Sequence, residues 1–77
     1  MTLEVDTKAN AAYVRVADRP VASTRELDPQ RMIDYDHEGE IIGIEFLAVD
    51  HGVDLSGLPH RHELEKLFDD HQIRQFA

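Results

Sequence analysis

The sequence predicts an α+β fold: a small antiparallel β-meander of four to five strands, with one C-terminal amphipathic helix packed on one face. Three observations carry this. Short runs in which apolar and polar residues alternate recur through residues 1–49, the period of half-buried strands. Met32–Leu47 (MIDYDHEGEIIGIEFL) sets two strand-like runs around Asp36-His37-Glu38-Gly39, a hairpin signature with a glycine able to take positive φ. Beyond Phe46 the period changes, and Leu64, Leu67 and Phe68 fall at i, i+3 and i+4, an apolar helical stripe. The predicted organisation is one domain, 1–77: the sheet over 1–49 with its central hairpin at 32–47, a connecting segment at 50–58, the helix at 59–71, and a tail or short strand at 72–77.

The first strand is Thr2 to Asp6, with Leu3 and Val5 on one face and Glu4 on the other. A polar turn through Asn10 leads to Ala11–Val16, where Ala12, Val14 and Val16 share a face and Tyr13 and Arg15 take the opposite one. Proximity in sequence favours antiparallel pairing of the two. Asp18-Arg19-Pro20 ends the pattern, because proline has no N–H for a ladder. Val21 to Leu27, with Ser23, Thr24, Arg25 and Glu26, suits an edge strand, and Asp28-Pro29-Gln30-Arg31 reads as a type I turn. In the central hairpin, placing Ile42, Ile44 and Phe46 on the buried face calls for an even loop, which brings Ile33 and Tyr35 to that face. An odd loop would set Asp34 opposite Ile42, inside the core.

Asp50-His51-Gly52 breaks the strand pattern, and Val53, Leu55 and Leu58 anchor the connecting segment. Pro59 suits the first position of a helix. The helix charges oppose its macrodipole, with His60, Arg61 and His62 at the start and Asp69 and Asp70 near the end. Packing of Leu64, Leu67 and Phe68 must therefore hold it, at roughly 1.5–3 kcal/mol per fully buried side chain.

Composition narrows the function classes. A chain of 77 residues is near the lower size for one self-sufficient core, and without cysteine it has neither disulfides nor a thiolate zinc cluster. Self-association is the common remedy, so a homodimer is expected. The formal net charge of −8 argues against direct binding to nucleic acid, which needs clustered Lys and Arg, and favours solubility, attraction to a basic partner, or no more than a solvated acidic surface. The N-terminus MTLEVD has no signal-peptide pattern and no apolar run approaches the ~20 residues of a membrane span, so a cytoplasmic location is expected.

No motif for a nucleophile, phosphate loop or cofactor is present, and no enzyme is expected. Among five histidines, His60 and His62 are two apart, the wrong spacing for one helix face. Were that stretch extended, His51, His60 and His62 would be the candidate metal or small-ligand set. Asp34, Asp36, Glu38, Glu40 and Glu45 crowd the hairpin, but general acid–base work needs a pocket that a chain this short has little volume to build. Gly43 marks either a β-bulge or a place where another backbone approaches closely. With Asp34, Asp36 and Glu45 it forms the candidate interaction surface.

Two stretches carry a resemblance. Val5–Val16 (VDTKANAAYVRV) and Ile33–Leu47 (IDYDHEGEIIGIEFL) resemble the two signatures of the prokaryotic domain of unknown function 2283 family, the second an acidic-glycine turn before Gly-Ile-Glu. The resemblance covers roughly residues 1–49, while Gly52–Pro59 and the helix are similar to a longer subset of members. Two departures stand out: Asn10 replaces a usual acidic residue, and Val49-Asp50 a usual small-residue ending. The resemblance implies a small antiparallel-sheet domain of unsettled function, some members being antitoxin-like and encoded beside small toxins. It carries over no catalytic residue. Together these features predict a non-enzymatic interaction module that binds a small basic toxin, with a histidine-based ligand binder or a structural homodimer as alternatives.

Overall fold

Five strands form one antiparallel sheet in the order β1-β2-β5-β4-β3: β1 (Thr2–Asp6), β2 (Ala11–Arg15), β3 (Ser23–Asp28), β4 (Arg31–Tyr35) and β5 (Ile41–Leu47). The computed structural model describes residues 1–76; Ala77, the end of the predicted tail, lies outside the described residues. A 3-10 turn (Val49–His51) and β6 (Val53–Asp54) lead to α1 (Arg61–Asp70), and β7 (Gln75–Phe76) pairs in parallel with β6. The α+β class and the C-terminal helix are as predicted.

The strand order corrects the simple meander. The β1–β2 hairpin and the β3–β4–β5 succession are two antiparallel blocks joined where β2 pairs with β5. Residues 16–22 make the crossing, and the Ile42 carbonyl accepts from the N–H groups of both Val16 (2.9 Å) and Ala17 (3.2 Å).

The central turn corrects the predicted parity. Tyr35 pairs with Ile41, so the five residues 36–40 form an odd loop. Gly39 at φ 80° donates to the Asp36 carbonyl (3.1 Å), and Asp36 N–H donates to the Glu40 carbonyl (2.9 Å), a type I turn closed by a left-handed glycine. A register shift between Asp34 and Tyr35 then leaves Ile42 without a partner. This bulge restores the phase, so Ile33 still faces Ile44, and Asp34 lies opposite Gly43 off the core face. Ile41 and Tyr35 pack against the core, whereas Ile42 is buried outside the core cluster.

One face of the sheet is closed by the C-terminal third. Val14, Ile33, Ile44 and Phe46 pack with Val53, Leu55, Leu58, Leu64 and Phe68. Phe46 and Phe68 meet edge to face, with ring centroids 5.1 Å apart. The helix starts two residues later than the predicted position 59. His60 takes the left-handed conformation (φ 58°) as its N-cap, so Pro59 precedes the first turn. Glu63 stands in that turn, and the His71 ring lies 2.9 Å from the Leu67 carbonyl. These contacts soften the unfavourable charge order at both ends.

Arg31 joins the connecting segment to the sheet. It sits on the core face opposite Phe46, only 7% exposed. Its guanidinium donates to the carbonyls of Ser56 (2.6 Å) and Asp54 (3.2 Å) and to the carboxylate of Asp28 (2.9 Å), holding the Asp28 carboxyl below the usual carboxylate range. Asn10 performs a similar task at the same end of the sheet, on the other side of β5. In a left-handed turn (φ 54°), its side chain donates to Asp50 Oδ1 (2.5 Å) and accepts from Asp50 N–H (3.0 Å). The two departures from the resembled signatures are thus bonded to each other, and an acidic residue at position 10 would set two carboxylates in contact.

Candidate functional site

The second face of the sheet has no helix over it, and the outward residues of all five strands meet there in register. One row runs Glu4, Tyr13, Glu45, Met32, Glu26, each the direct cross-strand neighbour of the next. The adjacent row runs Thr2, Arg15, Gly43, Asp34, Thr24.

Gly43 makes the face what it is. Tyr13 leaves its own row and leans over Gly43, so that a β-carbon built at position 43 would stand 1.7 Å from its hydroxyl oxygen and 2.4 Å from Cζ. Crossing β5 in this way, the Tyr13 hydroxyl donates to Asp34 Oδ2 on β4 (2.8 Å), and Thr24 from β3 donates to Asp34 Oδ1 (2.6 Å). Arg15 completes the group, its guanidinium carbon 5.7 Å from the Tyr13 ring centre. One polar ladder thereby links β2, β4 and β3, passing over β5. Burial, followed by the Asp34 carboxylate that the hydroxyl bonds, pushes the Tyr13 phenol up to about 12.

The predicted surface residues divide into two groups. Asp34 is spent within the ladder. Asp36 is also engaged within the chain: its Oδ1 accepts from the N–H groups of Glu38 and Glu40 (both 2.9 Å), and its Oδ2 pairs with Arg19 (2.9 Å). Those backbone donors, Glu40 first, with the Arg19 guanidinium hold its carboxyl below the usual range. Glu45 faces outward, half-buried beside Tyr13 and Met32. Gly43 adjoins the Ile42 bulge, and the group that approaches it closely is not another backbone but the Tyr13 side chain of its own chain.

His51, His60 and His62 stand apart from this face, with side chains 83%, 48% and 97% exposed. The nearest acid to each is a sequence neighbour: Asp50 at 3.8 Å, Glu63 at 3.2 Å and Glu65 at 3.6 Å. Among the described residues no three His, Asp or Glu side chains are grouped to hold a metal ion, and no helix is long and apolar enough to cross a membrane. The sequence reading missed Tyr13 and Thr24 as partners of Asp34 and Arg31 as a clamp. The available signal for the first was a strand glycine, Gly43, sharing the outward phase of its strand with Glu45, as Tyr13 does on β2.

An antiparallel sheet closed by one helix on a single face, with a polar ladder across the other, defines a small α+β domain. The chain belongs to the family described as "Protein of unknown function (DUF2283)", whose pattern it matches over residues 3–49. Neither the curated proteins nor the solved structures compared with it gave a match.

Proposed function

We propose that this chain is a non-enzymatic protein-interaction module that presents the helix-free face of its sheet to a basic protein partner. The observation that carries the reading is the row Glu4–Tyr13–Glu45–Met32–Glu26, in which three glutamates alternate with an aromatic and a thioether side chain across the full width of the sheet. Strands spaced ~4.8 Å apart set the backbones of successive glutamates ~9.6 Å apart, far enough that their mutual repulsion in water is weak and well placed to meet separate cations. Tyr13 and Met32 supply the apolar area that gives such a contact strength. The net charge of −8 adds long-range attraction to a basic surface. In the antitoxin-like form of this reading the partner is a small basic toxin.

Affinity capture with the tagged chain from nuclease-treated cytosol, run beside Glu26→Lys and Glu45→Lys, tests it. A basic protein retained by the native chain should be lost from both variants and released as ionic strength approaches ~0.5 M. Equal retention by the native chain and both variants would remove the face from consideration.

A second reading, self-association, draws on β3. This edge strand is exposed along nearly its whole length, with exposed Val21 and Leu27 near its two ends. Pairing β3 with β3 of a second copy would extend the sheet into a homodimer. Light scattering after size exclusion decides: a mass of 8.8 kDa at every concentration ends this reading, and twice that mass supports it.

A further inference from the structure

The lean of Tyr13 has a consequence beside it. Because the ring is drawn over Gly43 toward Asp34, it moves away from the side of the face where Ala11 lies. Ala11, which shares the outward phase of Tyr13 and carries only a methyl, cannot fill the space. An open hollow of about 590 Å³ remains, walled by Glu4, Asp6, Lys8, Tyr13 and Glu45. Its balance is three carboxylates against one ammonium. Asp6 Oδ1 accepts from Ala9 N–H (3.1 Å). None of the ion pairs formed among the described residues uses Glu4, Asp6, Lys8 or Glu45.

We infer that this hollow receives an arginine side chain of the basic protein partner, its guanidinium between Glu4 and Glu45 and its methylene stem on Ala11. The inference rests on the reading of the face as a docking surface for a basic protein and adds which side chain enters where. Geometry selects the chemistry. Glu4 and Glu45 flank Tyr13 from strands on either side of it, so their backbones are ~9.6 Å apart. Among the described residues no three acidic or histidine side chains, those of the hollow included, are grouped to hold a metal ion. A lysine ammonium is a compact, strongly hydrated point that satisfies one of them at a time. The planar guanidinium carries donors on several edges, can bond carboxylates on two sides, and is more weakly hydrated. A stem lying on alanine and tyrosine adds apolar contact. Lys8 at the rim disfavours a second cation and so limits the hollow to one.

The test is a nitrogen-15 amide titration of the full chain at low salt with three capped peptides, Ala-Ala-Xaa-Ala-Ala, where Xaa is arginine, lysine or citrulline. The expected result is saturable shifts from the arginine peptide confined to residues 4–13 and 45, weaker ones from lysine, and none from citrulline. Glu45→Gln, close in shape to glutamate, should weaken the arginine peptide by about fivefold, the upper range for an exposed ion pair. Dispersion of the variant's own spectrum reports that it is folded. Shifts of equal size around Asp69 and Asp70, lysine equal to arginine, or insensitivity to Glu45→Gln would each overturn the inference. Glu26 lies at the far end of the row from the hollow. A flat arginine titration together with partner loss in Glu26→Lys therefore removes the hollow and leaves the face standing, whereas partner retention in Glu26→Lys and Glu45→Lys removes the face itself.

Discussion

Gly43 and Tyr13 form one unit at the scale of single residues. A methyl at position 43 overlaps the Tyr13 ring, so Gly43→Ala must expel the ring and break its bond to Asp34. The expected cost is about 1–3 kcal/mol, combining overpacking with a lost charge-assisted hydrogen bond. Tyr13→Ala removes the obstruction, and in that background Gly43→Ala should cost under about 1 kcal/mol. Urea denaturation of the four proteins of the cycle measures the coupling, and additive losses would show that the ring and the glycine act independently. Asp36 yields a pH prediction. Its folded carboxyl titrates below the ordinary value of about 3.9 that it regains on unfolding. The unfolded chain therefore binds the proton first as pH falls. The stabilisation is complete above that ordinary value and is lost as pH drops through the lowered folded value. Asp36→Asn should make the protein less stable at pH 7 and flatten the stability profile below pH ~4, as followed by denaturation at a series of pH values.

The connecting segment shows what is decided between elements. Arg31 was legible only as a turn residue at the end of Asp28-Pro29-Gln30-Arg31. Its phase on β4, opposite Phe46, turns it to the core face, where the carbonyls of Asp54 and Ser56 and the carboxylate of Asp28 receive it. Arg31→Met keeps the length and loses every donor. A loss of about 2–3 kcal/mol is expected, since two carbonyls and a carboxylate give up a charged partner. Amide exchange should quicken over residues 53–58 more than in the β1–β2 hairpin, and uniform quickening would mean that Arg31 does not clamp that segment in particular. The helix reading fared better because its signal was periodic: Leu64 and Phe68 are fully buried as the i, i+4 spacing required. Its start was misplaced because proline is tolerated at the first helical position and also just before it.

Across the whole molecule, the family match ends at residue 49, but the core does not. Val53, Leu55, Leu58, Leu64 and Phe68 are all buried and lie beyond the match. A chain ending at residue 49 would leave Ile33, Ile44 and Phe46 open to water, at roughly 1.5–3 kcal/mol for each side chain uncovered. Such a chain should be unfolded or associated, read as a collapsed amide spectrum or a mass above that of a monomer. A dispersed monomeric spectrum would show that the sheet is self-sufficient.

The sequence by itself determined the five strands of the main sheet, the place of the central hairpin, the helix and the family, because each is written in local periodicity or in residues adjacent along the chain. It also singled out Gly43 and Glu45. Tertiary structure alone decided the pairing of β2 with β5, the bulge at Ile42 that repairs an odd loop, and the withdrawal of Asp34 and Asp36 into internal bonds. The partners in each case are brought together from separated parts of the chain, or depend on a one-residue shift in pairing. Either arrangement leaves the pattern of apolar and polar residues unchanged while reversing which side chains share a face.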